Sequence, residues 1–258
     1  MSTKDHGFQA DLPRLFGRRQ ALTMIGATVA VALPGMSYAA QCVADATETE
    51  GPYPADGSGR ILRSNPNVLT ESGVIRDDLR QSFGPLSGAT DGVPLTLELE
   101  LVNVDNACAP LAGYAIYIWH CDALGKYSLY DIEDQNYLRG VALTDASGKA
   151  RFTTIYPGCY PSRWPHIHFE VFSSPDAMTS GRDSLLISQL AFTEADSAMV
   201  YDAHAAYSNG LANLARNSLS RDMVFGDDTE AQTRQRTLAI SGNVSDSLSG
   251  TARIGLRA

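Results

Sequence analysis

Apolar residues recur along this chain in short runs that indicate strands more often than helices. Residues 94–104 alternate leucine with polar side chains, which is the period-two pattern of a half-buried strand. Further strands are predicted at residues 115–120, 137–144, 150–155, 166–172 and 185–192, and closing strands at 222–225, 235–240 and 251–256. Turns rich in glycine and proline separate these runs. The pattern predicts an all-β fold, an antiparallel β-sandwich with long loops and one or two short helices.

Two regions depart from this strand pattern. Thr193 begins a stretch that resembles a capping box, and the alanine-rich run after it favours helix to about residue 217. Residues 60–91 are polar and rich in glycine, proline and serine, so they are predicted to form a long surface loop with a short turn of helix at 74–80. Loops of this length usually carry a function or contact a partner, and the sequence does not indicate which.

The first 40 residues have the pattern of a removable export signal. Arg18 and Arg19 precede an apolar segment at residues 21–33, and small residues follow at 37–40. This arrangement is typical of a twin-arginine signal, and the apolar run is shorter than the about 18 to 20 residues that span a membrane. We therefore expect a protein exported by the twin-arginine route to the periplasm or outside the cell. Residues 41–258 are expected to form one domain, with no stable membrane insertion after removal of the signal.

The charge of the chain argues against a nucleic-acid partner. The formal net charge is −9, and removal of residues 1–40, which hold four basic and two acidic side chains, makes it −11. Such a surface repels nucleic acid and anionic membranes.

Four cysteines in an exported chain allow disulfide formation. Cys42 and Cys108 both lie in loop-like sequence before strands, and we predict that they pair. Cys121 and Cys159 are not assigned by the sequence and are expected to be free, buried thiols.

The densest set of potential metal ligands lies at residues 152–172, FTTIYPGCYPSRWPHIHFEVF. His166 and His168 are two positions apart, so on a strand they point the same way, about 6 to 7 Å apart along the chain. Prolines and a glycine hold the preceding segment in a non-helical path that carries Tyr160 and Arg163. Taken alone, the two histidines are equally consistent with an ordinary polar strand face, and the tyrosine with packing.

Further motifs add a family resemblance. WHCDALGKYS at residues 119–128 brings out Tyr127 after a turn, and it is followed by LRGVALTDASG at 138–148 and TIYPGCYPSRWPHIHF at 154–169. Together these resemble the intradiol ring-cleavage dioxygenases, especially their secreted, single-domain bacterial branch. The matches run in order from about residue 42 to 192, with weaker ones past 225. EGPYP at 50–54 resembles the segment that covers the active-site mouth in this family, which implies that Tyr53 lines the substrate pocket.

The resemblance implies that Tyr127, Tyr160, His166 and His168 hold Fe(III). A tyrosine has an ordinary pKa of about 10, so binding as phenolate at neutral pH needs a strongly acidic, oxygen-loving ion. Fe(III) meets this need better than Zn(II), which favours cysteine, histidine and carboxylate ligands.

The resemblance also implies a reaction with two small partners, a catecholic substrate and O2. The catechol binds through both hydroxyls and displaces the Tyr160 phenolate, and ring cleavage gives a cis,cis-muconate-type diacid. Arg163 is implied to stabilise the electron-rich ring, and Gln189 to hydrogen-bond near the substrate. Export suggests lignin-derived or other aromatics met outside the cytoplasm. Cys159 departs from the aromatic or proline usual beside the second tyrosine, which affects the expected shape of the pocket.

Other interpretations remain open from the residues themselves. A secreted non-catalytic β-sandwich module would carry the histidine pair incidentally, or bind structural Zn(II) through it with Cys121 and Cys159. An extradiol or other Fe(II) oxygenase would need a carboxylate ligand, and Glu170 lies on the same strand face as the two histidines. His204 is predicted to be an ordinary surface or core histidine. The sequence indicates neither the preferred catechol nor the oligomeric state.

Overall fold

The computed structural model describes residues 42–58 and 66–258, so the predicted export signal and residues 60–65 of the predicted loop lie outside the described residues. The described strands are β1 (Pro94–Asn103), β2 (Ala109–Pro110), β3 (Ala115–Trp119), β4 (Arg139–Leu143), β5 (Lys149–Ile155), β6 (His166–Phe172), β7 (Leu186–Ala191), β8 (Ala239–Asn243) and β9 (Ser247–Leu256). They form two sheets, which confirms the predicted mostly-β sandwich.

The first sheet has the order β2-β1-β9-β8, with β5 paired to β1, and the second has the order β4-β3-β6-β7. All pairings are antiparallel except that of β1 with β9, which is parallel. The predicted antiparallel sandwich is thus confirmed, with this one parallel pair as an exception. A hairpin forces neighbouring strands to run antiparallel, but β9 reaches β1 from the far end of the chain and is free of that constraint.

Three α-helices are described: α1 (Glu194–Ala203), α2 (Gly210–Leu214) and α3 (Glu230–Arg236). Thr193 caps α1 as predicted, because its side chain accepts a hydrogen bond from the amide of Asp196. The helix does not continue to residue 217, since His204 is extended and ends it. Short 3₁₀ turns lie at Val68–Thr70, Val104–Asn106, Pro175–Ala177, Gly181–Asp183, Ala205–Tyr207 and Leu219–Arg221. No helix in the described part of the chain is long and apolar enough to cross a membrane.

Three local predictions are wrong. The predicted strand at 222–225 is a turn, in which the Asp222 side chain accepts a hydrogen bond from the amide of Val224. The predicted strand at 235–240 is divided between the end of α3 and the start of β8, because Thr229 and Gln232 form a capping box that starts a helix. The predicted helical turn at 74–80 is extended instead and forms isolated bridges to β4 and β5.

One face of each sheet contributes to the main apolar core. The alternating leucines of β1 pack there against Ile167, Phe169 and Val171 of β6. The other face of the second sheet carries aromatic and polar side chains. Residues 42–58 and 66–83, which we call the cover, begin beside β9 of the first sheet, where the amide of Asp45 donates to the carbonyl oxygen of Gly255, and continue over this face. Apolar cover residues, among them Val68 and Val74, are buried in a second apolar cluster between the cover and the second sheet. The predicted surface loop is thus anchored on the sheet by a few buried apolar residues, while most of its described residues stay at least partly exposed.

Cys42 and Cys108 form a disulfide, as predicted. Cys42 begins the described part of the cover, and its neighbour Val43 is held by two hydrogen bonds to the side chain of Gln235, with donor–acceptor distances of 3.0 and 2.7 Å. The Cys42–Cys108 disulfide therefore fixes the start of the cover to the loop after β1.

Replacing both cysteines, Cys42→Ser with Cys108→Ser, is expected to lower the free energy of unfolding. The bond closes a span of 66 residues, and the lost restraint on the unfolded chain corresponds to about 2–4 kcal/mol. Urea unfolding of the double variant and of the oxidised wild type measures the loss, and the wild type under reductant should unfold like the double variant. Equal midpoints for the oxidised wild type and the double variant would contradict this assignment.

Candidate active site

Four polar atoms from three segments of the chain meet at one end of β6. The phenol oxygen of Tyr127 lies 3.3 Å from that of Tyr160, and 3.4 Å from Nε2 of each histidine, His166 and His168. Tyr160 Oη is 3.3 Å from His166 Nε2, and the two Nε2 atoms are 3.1 Å apart. Ligands bound at about 2.0–2.2 Å to one ion have separations of this size.

Strand β6 sets the direction of both histidines. They alternate with Ile167, which points into the main core, so both imidazoles lie on the covered face of the second sheet. His166 Nδ1 lies 2.5 Å from the carbonyl oxygen of Trp164, and a hydrogen bond there leaves Nε2 as the lone-pair donor. The His168 ring stacks on Trp119 of β3, with centroids 4.7 Å apart. Both rings are therefore fixed with Nε2 toward the tyrosines.

A tight turn after β3 presents Tyr127. The Asp122 carboxylate accepts hydrogen bonds from the amides of Leu124 and Lys126, each at 2.9 Å. Gly125 in this turn has φ +81°, and an added Cβ would lie 2.9 Å from Cβ of Tyr160. Only glycine meets both the conformation and the close approach, so the turn brings the two tyrosine loops together.

The loop that carries Tyr160 is held from outside by two asparagines. Asn217 Nδ2 donates to the carbonyl oxygens of Tyr160 and Arg163 at 3.1 and 2.8 Å. Asn213 Nδ2 donates to the carbonyl oxygen of Cys159 at 2.7 Å. The sequence analysis missed both asparagines, because it assigned them to a continuous helix and no motif marks them.

Burial favours the neutral form of all four donor side chains. It raises the pKa of Tyr127 well above the ordinary value, and the adjacent Tyr160 raises it further. Burial likewise raises the pKa of Tyr160. Burial and then the charge of Arg163 lower the pKa of His166 to about 3, and burial and then His166 lower that of His168. Phenolate oxygens are stable in this place only beside a strongly positive ion.

Arg163 is anchored by a buried ion pair. Its Nε and Nη2 donate to the Asp222 carboxylate at 3.0 and 3.3 Å, and Nη2 also donates to Gln189 Oε1. Burial alone raises the pKa of Asp222, but hydrogen bonds from Arg163 and from the amide of Trp164 hold it below the usual value. Among the described residues, Arg163 Nη1 has no hydrogen-bond partner. The sequence analysis missed Asp222, because it assigned this residue to a strand.

The EGPYP segment of the cover lies beside the four donors. The Tyr53 ring lies 4.8 Å from the Tyr127 ring between centroids. Gly51 has φ +72°, and an added Cβ would lie 3.3 Å from Cε1 of His168. Gln189 Nε2 donates to the carbonyl oxygen of Thr49 at 3.4 Å. The structure thus brings every predicted site residue to this end of the second sheet.

The residues that a cysteine–histidine zinc site or an Fe(II) site with a carboxylate ligand would use lie in other environments. Within residues 42–58 and 66–258, no group of three or more histidine, cysteine, aspartate or glutamate side chains could hold a metal ion. Glu170 is buried, and burial followed by the nearby Asp56 carboxyl raises its pKa well above the ordinary value. The Cys121 thiol faces the carbonyl oxygen of Gly158. His204 accepts a hydrogen bond from the amide of Ala206 and begins a 3₁₀ turn. The geometry thus favours neither a cysteine–histidine zinc site nor a two-histidine, one-carboxylate site.

Comparisons with known proteins identify the family and the fold. The family model described as Dioxygenase matches residues 70–235. The protocatechuate 3,4-dioxygenase beta chain of Burkholderia cepacia is 30% identical over 129 residues, which cover 38% of this chain and 54% of that relative. The chain therefore matches about half the length of this relative.

Two solved structures share the fold. An intradiol ring-cleavage dioxygenase from Tetranychus urticae superposes with a TM-score of 0.62 at 23% identity, over 83% of this chain and 94% of that one. The dioxygenase domain of a dioxygenase carbohydrate-binding protein fusion from Streptomyces sp. SirexAA-E superposes with a TM-score of 0.50 at 22% identity, over 83% of this chain and 98% of that one.

Asp222→Asn is expected to lower the free energy of unfolding by about 3–5 kcal/mol, because it leaves the buried Arg163 charge without its partner. Asp105→Asn, which breaks the exposed pair with Arg257, is the matched control and should cost less than about 1 kcal/mol. Denaturant unfolding of both variants gives the comparison. Equal losses would mean that the Arg163 pair is no stronger than a surface contact.

Proposed function

This chain belongs to the intradiol ring-cleavage dioxygenase family, and from that premise we propose that it is an Fe(III)-dependent enzyme that cleaves catechol-type rings with O2. The observation that carries the proposal is the convergence of two phenol oxygens and two imidazole nitrogens, in which five of the six atom pairs lie 3.1–3.4 Å apart. Tyr127, Tyr160, His166 and His168 are the proposed ligands.

The donor set fits ferric iron for an electrostatic reason. Two buried phenols become ligands only if an ion stabilises their anionic form strongly, and Fe(III) combines high charge with a preference for oxygen. The imidazoles are neutral, because burial lowers their pKa values, and neutral Nε2 atoms are the form that binds a metal. When bound, ferric iron would supply Lewis acidity toward both catechol oxygens and draw electron density from the ring toward reaction with O2.

The two tyrosines differ in a way that assigns their roles. Tyr127 is buried under the Tyr53 ring. Tyr160, in contrast, is partly exposed. We assign Tyr160 as the ligand that yields to the substrate and accepts a catechol proton at Oη, while Tyr127 stays in place.

Arg163 and Gln189 act on the substrate side of the donors. Arg163 presents Nη1 while Asp222 and Gln189 hold its other nitrogens, so its guanidinium is preorganised for negative charge that develops on the ring and on the attacking oxygen. Both ends of the Gln189 amide are engaged, one with Arg163 and the other with the cover. Gln189 therefore acts by positioning Arg163. Tyr53 forms a wall of the substrate pocket.

The proposed setting is outside the cytoplasm. A twin-arginine signal at residues 1–40 would export the folded protein to the periplasm or the exterior, and the Cys42–Cys108 bond suits an oxidising compartment. The proposed substrates are lignin-derived or other extracytoplasmic catechols, and the products are cis,cis-muconate-type diacids.

The test is the visible spectrum of the purified protein after iron loading, before and after anaerobic addition of catechol. We expect a red-brown tyrosinate-to-iron band that shifts with catechol and weakens in both Tyr127→Phe and Tyr160→Phe. Iron affinity should fall about tenfold or more in each variant. Tyr114→Phe, a partly buried tyrosine away from the donors, is the matched control and should keep the band. A protein that stays colourless after iron loading would contradict the proposal and favour a non-catalytic module.

A further inference from the structure

Arg139 is a buried arginine in β4 that lies beside the site and has no assigned role. Only 1% of it is exposed. No carboxylate in the described part of the chain lies within ion-pair distance of its guanidinium. All its side-chain hydrogen bonds go to uncharged oxygen atoms, which is an uncommon and costly environment for a buried cation.

The hydrogen bonds of Arg139 join three separate segments. Nη1 donates to the carbonyl oxygens of Tyr53 and Pro54 in the cover, at 2.8 and 3.1 Å, and lies 3.3 Å from Tyr117 Oη of β3. Nη2 donates to the carbonyl oxygen of Ser128 at 2.9 Å, and Nε donates to Ser128 Oγ at 3.1 Å. One planar group thus connects the cover, the sheet and the turn that presents Tyr127.

The two ends of this connection are parts of the site. Ser128 directly follows Tyr127, a proposed iron ligand, and Tyr53 is the proposed substrate wall. The rings of Tyr53 and Tyr127 lie 4.8 Å apart between centroids. Tyr130 supports the same contact, because its ring lies 5.0 Å from that of Tyr53 and its hydroxyl accepts a hydrogen bond from the amide of Ala55. The Arg139 guanidinium in turn lies over the Tyr130 ring, at 5.4 Å from its centroid.

We propose that Arg139 is a positioning residue that fixes the Tyr53 wall against Tyr127 and thereby sets how tightly the site binds its catechol. This rests on the proposed function for the identity of the ligand. A lysine cannot replace it, because an ammonium group lacks the planar fork that reaches three segments at once. The role is geometric, so charge alone does not restore it.

The test compares Arg139→Lys and Arg139→Met with Arg76→Met. Arg76 is a matched control, because its Nε and Nη2 also fasten the cover to β4, through the carbonyl oxygen of Arg139, but it makes no hydrogen bond to the Tyr53 segment. Two readouts are used: the catechol dissociation constant of the iron-loaded protein, from anaerobic optical titration, and hydrogen–deuterium exchange at residues 50–56 in the metal-free protein.

Both Arg139 variants are expected to raise the catechol dissociation constant about tenfold or more and to speed exchange around Tyr53 by a similar factor. Arg76→Met is expected to lower the unfolding temperature while leaving both quantities within about twofold of wild type. If neither Arg139 variant folds, Ser128→Ala removes one acceptor and keeps the arginine, and it should shift both readouts in the same direction by a smaller factor.

Two results would overturn the proposal. The first is that the Arg139 variants keep a catechol dissociation constant and an exchange rate within about twofold of wild type despite a lower unfolding temperature. The second is that Arg139→Lys restores both quantities to their wild-type values. Failure of the proposed function has a different signature, a wild-type protein that gains no colour with iron and does not bind catechol. Exchange in the metal-free protein still decides, in that case, whether Arg139 holds the cover.

Discussion

The structure depends on one electrostatic constraint, which is that four polar atoms largely shielded from solvent lie together, with five of their six separations between 3.1 and 3.4 Å. Burial makes the phenols of Tyr127 and Tyr160 poor acids and the imidazoles poor bases, so the group carries no charge of its own. Such a set becomes stable as a ligand cage when a highly charged ion occupies its centre. The surrounding elements can be understood by how they hold these four atoms in place.

Buried arginines hold the segments around the site together through ion pairs and hydrogen bonds. Arg163 is neutralised by Asp222 and oriented by Gln189. Arg236 is fully buried, pairs with Glu48 of the cover and with Asp228, and donates to the carbonyl oxygen of Gln189. Arginine suits these places because its planar fork makes several directed hydrogen bonds at once. These buried arginines therefore join the cover and the flanking loops to the second sheet beside the site.

The sequence predicts most of the sandwich and the common direction of the two histidines for local reasons. Alternating leucines define β1, and the spacing of His166 and His168 on one strand requires a common direction. Tyr127 and Tyr160 needed the family resemblance, because no local spacing links two tyrosines 33 residues apart. The histidine pair alone left a zinc module and an Fe(II) oxygenase open.

The features that the sequence did not predict depend on contacts between distant segments. The cover looks like a polar loop, and its few apolar residues, such as Val68 and Val74, reveal their role only when packed on the sheet. Asn217 and Asp222 act through the backbone and side chain of residues more than fifty positions away. The parallel pairing of β1 with β9 likewise joins two strands that are far apart in the sequence. Local periodicity carries no information about such partners.

X-ray absorption at the iron edge of the iron-loaded protein tests the central claim most directly, because it reports the atoms around the metal. The account predicts one iron per chain with only oxygen and nitrogen neighbours, at about 2.0–2.2 Å. A sulfur neighbour at about 2.3 Å, which would have to come from a cysteine, would contradict it. So would a spectrum unchanged by the loss of both Tyr127 and Tyr160 hydroxyls, since the metal would then lie outside the four-donor cluster.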